Sequence, residues 1–418
     1  MLLLNSLHVR SHRAAAQRLE WPGLSKHQRR LKIKAGLIRG SIFVFLAALV
    51  SVLVVLIGFN TAAAQGRYQK SNPLPVRKGA GTVPPRGGDG EQHTTYTVLV
   101  GAENVAQGAT VNAYFPTTLR IHVGDTVHWQ RNANEIHTVT FLAGTPLPPL
   151  NVPAPPGLPS PLMRNPLLAF PAAPANGRYD GTTYANSGIF GTDPTIYQGV
   201  QSFDLTFTKP GTYNYVCGVH GVPMSGQIIV VDRRQHVPPP QQVHEQARRL
   251  IAQALAKVPA AIAKANAEVP RPTPNPDGTK TFHVLVGFSV GQLDLLRFFP
   301  NHLTVHPGDT VDWKFTMEDM APHTVTFLNG NPDPDDLLVV PQPKGPPLLL
   351  VNPEVLFPQN AGKPLTRQGV YSSGNVVRPG DPPPILSLKI GNIRGREPYK
   401  CLLHDSSGML GRLEIVPK

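Results

Sequence analysis

An all-β fold built from two similar sandwich halves is what this sequence predicts, on three observations. Gly 38 and Pro 46 of 418 residues, with only 16% charged side chains, describe a turn-rich chain rather than a helical bundle. One unit of sequence is written twice. Inside each copy, short runs alternate apolar and polar residues between Gly and Pro turns, as in Leu119-Arg120-Ile121-His122-Val123 followed by GDT and Val127-His128-Trp129. The length suits two or three domains with substantial cores.

Taken in order, the chain begins with a basic segment, 1–40. Its first 39 residues hold nine Lys/Arg and one acid, so +8 of the formal +13 sits there. The basic excess is therefore not a nucleic-acid face, and no nucleic-acid partner is expected. Residues 41–64 follow, opening with SIFVFLAALVSVLVVLIGF, uncharged from Ser41 to Phe59 and close to the ~20 residues that span a bilayer. Basic flanks before it and Ala62-Ala63-Ala64 after it predict a transmembrane anchor or a signal peptide, with the rest of the chain exported to the periplasmic or extracellular side. An uncleaved run would add the membrane as a partner. Residues 65–92 have the Pro/Gly/charged composition of a tether.

The repeat organises what remains. TYTVLVG (95–101) answers TFHVLVG (281–287), and YFPTTLRIHVGDTVHW (114–129) answers FFPNHLTVHPGDTVDW (298–313). HTVTFLAG (137–144) answers HTVTFLNG (323–330), and YNYVCGVHGVPMSGQIIVV (213–231) answers EPYKCLLHDSSGMLGRLEIV (397–416). Such a pattern predicts a tandem duplication, with domains at 93–233 and 279–418. The linker, 234–278, holds an amphipathic helix from Gln241 to about Lys257 that places Leu250, Ile251, Ala254, Leu255 and Val258 on one face, interrupted at Pro259. Such a helix would hold the two domains in a fixed relation or keep them apart. Each copy also carries a proline-rich insertion, Pro146 to Pro174 and Pro332 to Pro358, expected as loops or covers because proline cannot donate into a sheet ladder.

The chemistry lies in four residue types repeated at matched positions. Both cysteines of the chain fall at the same place in the repeat, as Cys217-x2-His220-x3-Met224 and Cys401-x2-His404-x4-Met409. Each follows the histidine of HTVTF, His137 or His323, by about 80 residues. One thiolate, two imidazoles and one thioether match a His₂Cys trigonal copper site with a weak axial Met, because thiolate and thioether favour Cu(I) while imidazole accepts either state. Two thiols exclude a disulfide framework, a Cys-rich zinc site and an iron–sulfur cluster. A single Cys217–Cys401 disulfide would leave two matching His/Met loops without a purpose.

The GDTVxW strand, the HTVTF histidine and the terminal Cys/His/Met loop resemble the cupredoxins, the plastocyanin/azurin class of blue copper proteins, over roughly 95–232 and 281–417. The resemblance implies a Greek-key β-sandwich and a type 1 copper in each domain. The implied ligands are His137, Cys217, His220 and Met224, then His323, Cys401, His404 and Met409. It implies an electron carrier working between a protein donor and a protein acceptor. The plastocyanin-like tyrosine port before the cysteine is missing, since Val216 and Lys400 stand there, pointing outward.

Other chemistries read weakly. There is no His-x-His pair for a trinuclear copper cluster, His244-Glu245 lacks the second histidine of a zinc protease motif at Arg248, and no G-x-S-x-G occurs. A copper-dependent, nitrite-reductase-like enzyme with an additional interface copper is the alternative, drawing on the spare His122, His128, His236, His244, His283, His302 and His306. A redox-inert copper carrier is the third reading. His122 and His306 read as structural, Met163, Met317 and Met320 as packing, and Tyr215 and Tyr399 as core. Unequal loop lengths and charges predict two distinguishable copper potentials.

Overall fold

The computed structural model describes residues 93–191, 200–315, 321–375 and 385–418. The basic segment, the apolar run, the tether, Met317 and Met320 lie outside the described residues. Among the described residues no helix is long and apolar enough to cross a membrane.

Strand formation follows the alternation read above. In Thr95–Asn104 the residues Tyr96, Val98 and Val100 face inward, and Val127 and Trp129 do the same in Thr126–Arg131. These strands pack against a second sheet in which Gly211–Cys217 lies between Gly221–Val231 and Thr140–Phe141. One apolar cluster joins both sheets, with Trp129 at 5.7 Å from Phe141 and 5.4 Å from Tyr215, ring centroid to ring centroid. The second half repeats the arrangement, with Trp313 at 5.6 Å from Phe327 and 5.4 Å from Tyr399. Edge-to-face rings at these separations stabilise a core beyond the area they bury. The GDT turns owe their aspartate to the backbone. Buried Asp125 accepts from the amides of Thr94 and His122, and Asp309 accepts from those of Lys280 and His306.

Short strands punctuated by Gly and Pro turns suggest a sandwich of antiparallel sheets; the sheets are mixed instead. Thr95–Asn104 runs parallel to Thr126–Arg131, and Thr118–His122 parallel to Gly221–Val231. After Ala109–Phe115 the chain crosses to the other sheet for one strand and then returns, so neighbours in space are not neighbours in sequence. Parallel pairs are the product of such crossovers.

The two halves meet directly. They share one ten-stranded sheet, joined where Leu293–Phe299 pairs antiparallel with Ala109–Phe115. Asp294 stands opposite Thr110, and the 184-residue offset of that part of the repeat makes these two positions equivalent. Each half therefore presents the same strand to the other, as in a two-fold interface. Buried Asn112 adds a side-chain bond across the junction, donating to Asp294 Oδ2 at 2.7 Å. The linker region forms two helices, Pro240–Leu255 and Val258–Glu268, with Pro259 in the first turn of the second, where its missing N–H costs nothing. Their apolar residues Ala247, Val258, Ala261 and Ala265 cover the junction over Val111, Phe115, Leu285 and Leu295. The helices clamp the halves together and do not space them.

The proline-rich insertions also form more than loops. Asn151–Pro153 and Leu162–Arg164 from the first pair with Leu337–Val340 and Leu348–Val351 from the second in a four-stranded sheet of their own. Met163 lies in it opposite Leu350. Few of the ladder positions are prolines, so the strands form between the prolines rather than despite them.

Candidate metal centres

The HTVTF segment, the Cys strand and its loop bring three donors together in each half. In the first, His137 Nδ1 lies 3.2 Å from His220 Nδ1, and Cys217 Sγ lies 3.5 Å from His220 Nδ1. In the second, His323 Nδ1 lies 3.0 Å from His404 Nδ1, and Cys401 Sγ lies 3.8 and 3.5 Å from His323 Nδ1 and His404 Nδ1. Donors about 2.0–2.3 Å from a shared ion and spread trigonally stand roughly 3.5 Å apart. Both groups fit that spacing, and all six residues are buried. Two imidazole nitrogens and a sulfur facing one point are electron-rich atoms that a cation reconciles, so the donor set fits a metal of borderline softness.

The methionines complete each loop by different routes. In the first half the strand register slips between Val216↔Ser225 and Cys217↔Gly221. Val222 turns to solvent at 75% exposure, while Met224 is fully buried in the apolar cluster that holds Cys217. In the second half Met409 donates its amide to His404 O at 3.1 Å and accepts from the Cys401 amide at 3.1 Å, which closes the loop back on His404 and Cys401. Met409 and Cys401 also share one buried cluster.

The repeated HTVT has a mechanical reading. Thr138 N–H donates to Cys217 Sγ at 3.4 Å, and Thr138 Oγ1 accepts from the Gly218 amide at 2.7 Å. Thr324 does the same for Cys401 Sγ at 3.3 Å and for Leu402 at 2.8 Å. One threonine thus pins both the sulfur and the loop that follows it. Val139 and Val325 are anchored in turn by Ser187 and Ser373. The glycine ending VLVG also serves the site. Gly101 sits in a bulge at φ +73°, and a Cβ there would lie 2.6 Å from His137 Nε2. Only glycine meets both demands.

Electrostatics favour thiolates. Burial pushes each thiol pKa up, but the facing imidazoles outweigh it. His404 and His323 bring Cys401 down to about 5, and His220 and His137 hold Cys217 well below the ordinary thiol range.

One residue escaped the sequence reading. Glu135 is buried two positions before His137, with Oε2 3.3 Å from His404 Nε2 and Oε1 4.0 Å from His220 Nε2. Burial alone would raise this carboxyl; His404, His220 and His137 bring it down to about 2. A signal was present, because position 135 answers Ala321 in the other copy. An acid found beside a ligand in one half only is not a repeat requirement. The remaining singled-out histidines lie elsewhere: His122 Nε2 contacts Gln235 O, His306 Nδ1 contacts Val416 O, and His128 pairs with Asp204. Val216, expected to point outward, is buried instead, because Thr140 and Ser225 flank it in the sheet. Lys400 is partly covered and ion-paired to Asp405 at 2.8 Å and to Asp333.

Residues 101–231 match the family of copper binding proteins, plastocyanin/azurin. That segment resembles the cupredoxins. Solved structures similar to the chain include amicyanin variants. An oxidized one is 20% identical over 33% of this chain and 82% of its own, with a TM-score of 0.19. A Cu(I) form is 22% identical over the same shares, also at 0.19. A reduced one is 24% identical over 28% and 73%, at 0.17. The matched segment contains His137, Cys217, His220 and Met224 and ends with the strand that carries Met224.

Proposed function

We propose that this protein is an exported electron carrier with a type 1 copper in each of two duplicated cupredoxin domains, 93–233 and 279–418. The observation that carries the reading is the pair of buried His₂Cys groups, each with a buried methionine in its own apolar cluster. Copper bound by such a set supplies a one-electron couple. The chain's residues do the rest. Cys217 and Cys401 are held as thiolates, Thr138 and Thr324 fix each sulfur with one N–H bond, and the surrounding apolar clusters exclude water. Fixed ligands and a dry shell keep the surroundings from reorganising when the charge changes. The partners on this reading are one-electron donor and acceptor proteins. Export rests on residues 41–64.

Metal analysis with visible spectroscopy of the purified protein tests this directly. Two coppers per chain and an intense thiolate-to-copper band are expected, and Cys217→Ser and Cys401→Ser should each remove one of two chromophores. A single mutant that loses all the colour, or none, overturns the two-site reading. A third, colourless copper would support the reductase instead, and copper that does not bleach reversibly would support the carrier.

A further inference from the structure

Each of the two candidate centres has one histidine turned toward the other half. His220 and His404 face their own sulfur through Nδ1, each at 3.5 Å, so Nε2 is the outward edge of each ring. Those two edges meet the two oxygens of one carboxylate, Glu135 Oε1 and Oε2, at 4.0 and 3.3 Å. Glu135 is 7% exposed, and its neighbour Ile136 packs into the apolar cluster under the insertion sheet with Leu150, Leu162, Leu337 and Leu349. The proline-rich segments therefore roof the place where the two histidines and the carboxylate meet. The route from one sulfur to the other through this point crosses two imidazole rings and one carboxylate, with no main chain between. The repeat supplies an acid here once, since Ala321 occupies the matching position.

We propose that Glu135 is a coupling residue that bridges the two metal centres, orienting His220 and His404 together and providing the contact route for electron exchange between them. This rests on the two-copper reading. A carboxylate accepting from the outer N–H of a ligating imidazole fixes its tautomer and makes it a stronger donor. Here one carboxylate lies within hydrogen-bond reach of His404 Nε2 at 3.3 Å and at ion-pair distance, 4.0 Å, from His220 Nε2, so the sites are not independent. In an exchange event one electron leaves the centre that is oxidised and arrives at the centre that is reduced. No bond breaks and no proton leaves the bridge, so the sum of charge at the pair is unchanged.

Two arms test this on the full-length protein. In the metal-free protein, nitrogen NMR of the wild type should show Nε2–H protons on His220 and His404 that exchange slowly with water, with His404, the closer contact, the more protected. Glu135→Gln should shift both rings and Glu135→Ala should remove the protection. Protection absent in the wild type, or unchanged in Glu135→Ala, overturns the bridge whatever the metal content. In the copper-loaded protein, Glu135→Gln should retain both blue bands, raise both midpoint potentials, and slow inter-site exchange after pulse reduction by tenfold or more. The potentials rise because a negative charge that favoured the oxidised ions is gone. Two blue coppers with potentials and exchange rate unmoved by the substitution overturn the coupling. Protein without blue copper overturns it too, through the function it rests on, and the metal-free arm then shows whether the bridge itself stands.

Discussion

The two candidate centres have the same ligand types and the same pinning threonine, yet differ in what surrounds them. The first is uncharged beside its cysteine, with buried Val216 and a three-residue spacing from His220 to Met224. The second has Lys400, Asp405 and Asp333 beside its cysteine and a longer loop closed by hydrogen bonds to Met409. Glu135 comes from the first half but makes its closer contact in the second. What repeats is what a metal needs, and what differs is what tunes it. A shared sheet means the halves could diverge around their sites while each remained a structural requirement of the other.

The comparison is broken most sharply at Gly101. Gly101→Ala combines a positive φ with a 2.6 Å approach to His137 Nε2. It should destabilise the protein by about 2–4 kcal/mol and distort the first centre while leaving the second intact. Thermal melts with the copper spectrum of a Cys401→Ser background check this, and a first-site band unchanged by Gly101→Ala would refute it.

A smaller effect sharpens the comparison. Two potentials should be separable by redox titration, and Lys400→Met should lower the second wave only, because a cation that favoured the reduced ion is removed. Stability should change by less than about 1 kcal/mol, since the pairs are partly exposed. One shared potential, or a shift in both waves, would contradict the assignment.

A third effect concerns the roof. Burial pushes the Asp336 carboxyl up to about 6, against an opposing pull from Arg164. An acid whose folded pKa is raised stabilises the fold below its unfolded value, near 3.9, and loses that contribution as pH rises through about 6. Asp336→Asn should therefore gain about 1–2 kcal/mol relative to wild type above pH 6 and nothing near pH 4. Urea melts across that range check it; a difference independent of pH would assign the shift elsewhere.

Much of each centre was legible because the ligands are few, chemically distinctive and written twice. His137, Cys217 and His220, and their counterparts His323, Cys401 and His404, converge in the structure. Strand identity was legible too, since period-two alternation over a half-buried sheet leaves a direct mark on sequence. The parallel pairings left no such mark, because alternation records which face is buried and not which strand lies alongside. Glu135 was hidden for a related reason. A lone acid in a loop reads as solvated until packing removes the water, and its two partners are 85 and 269 positions away in the chain. The insertions looked like loops because of their proline content, yet each folds into a hairpin between its prolines, and the two hairpins join across the halves where Leu350 stands opposite Met163. Local spacing determines which donors a loop can deliver to one point. Only the junction of the halves, where Asp294 meets Thr110 and two helices cover the seam, decides that the two points lie on either side of a single carboxylate.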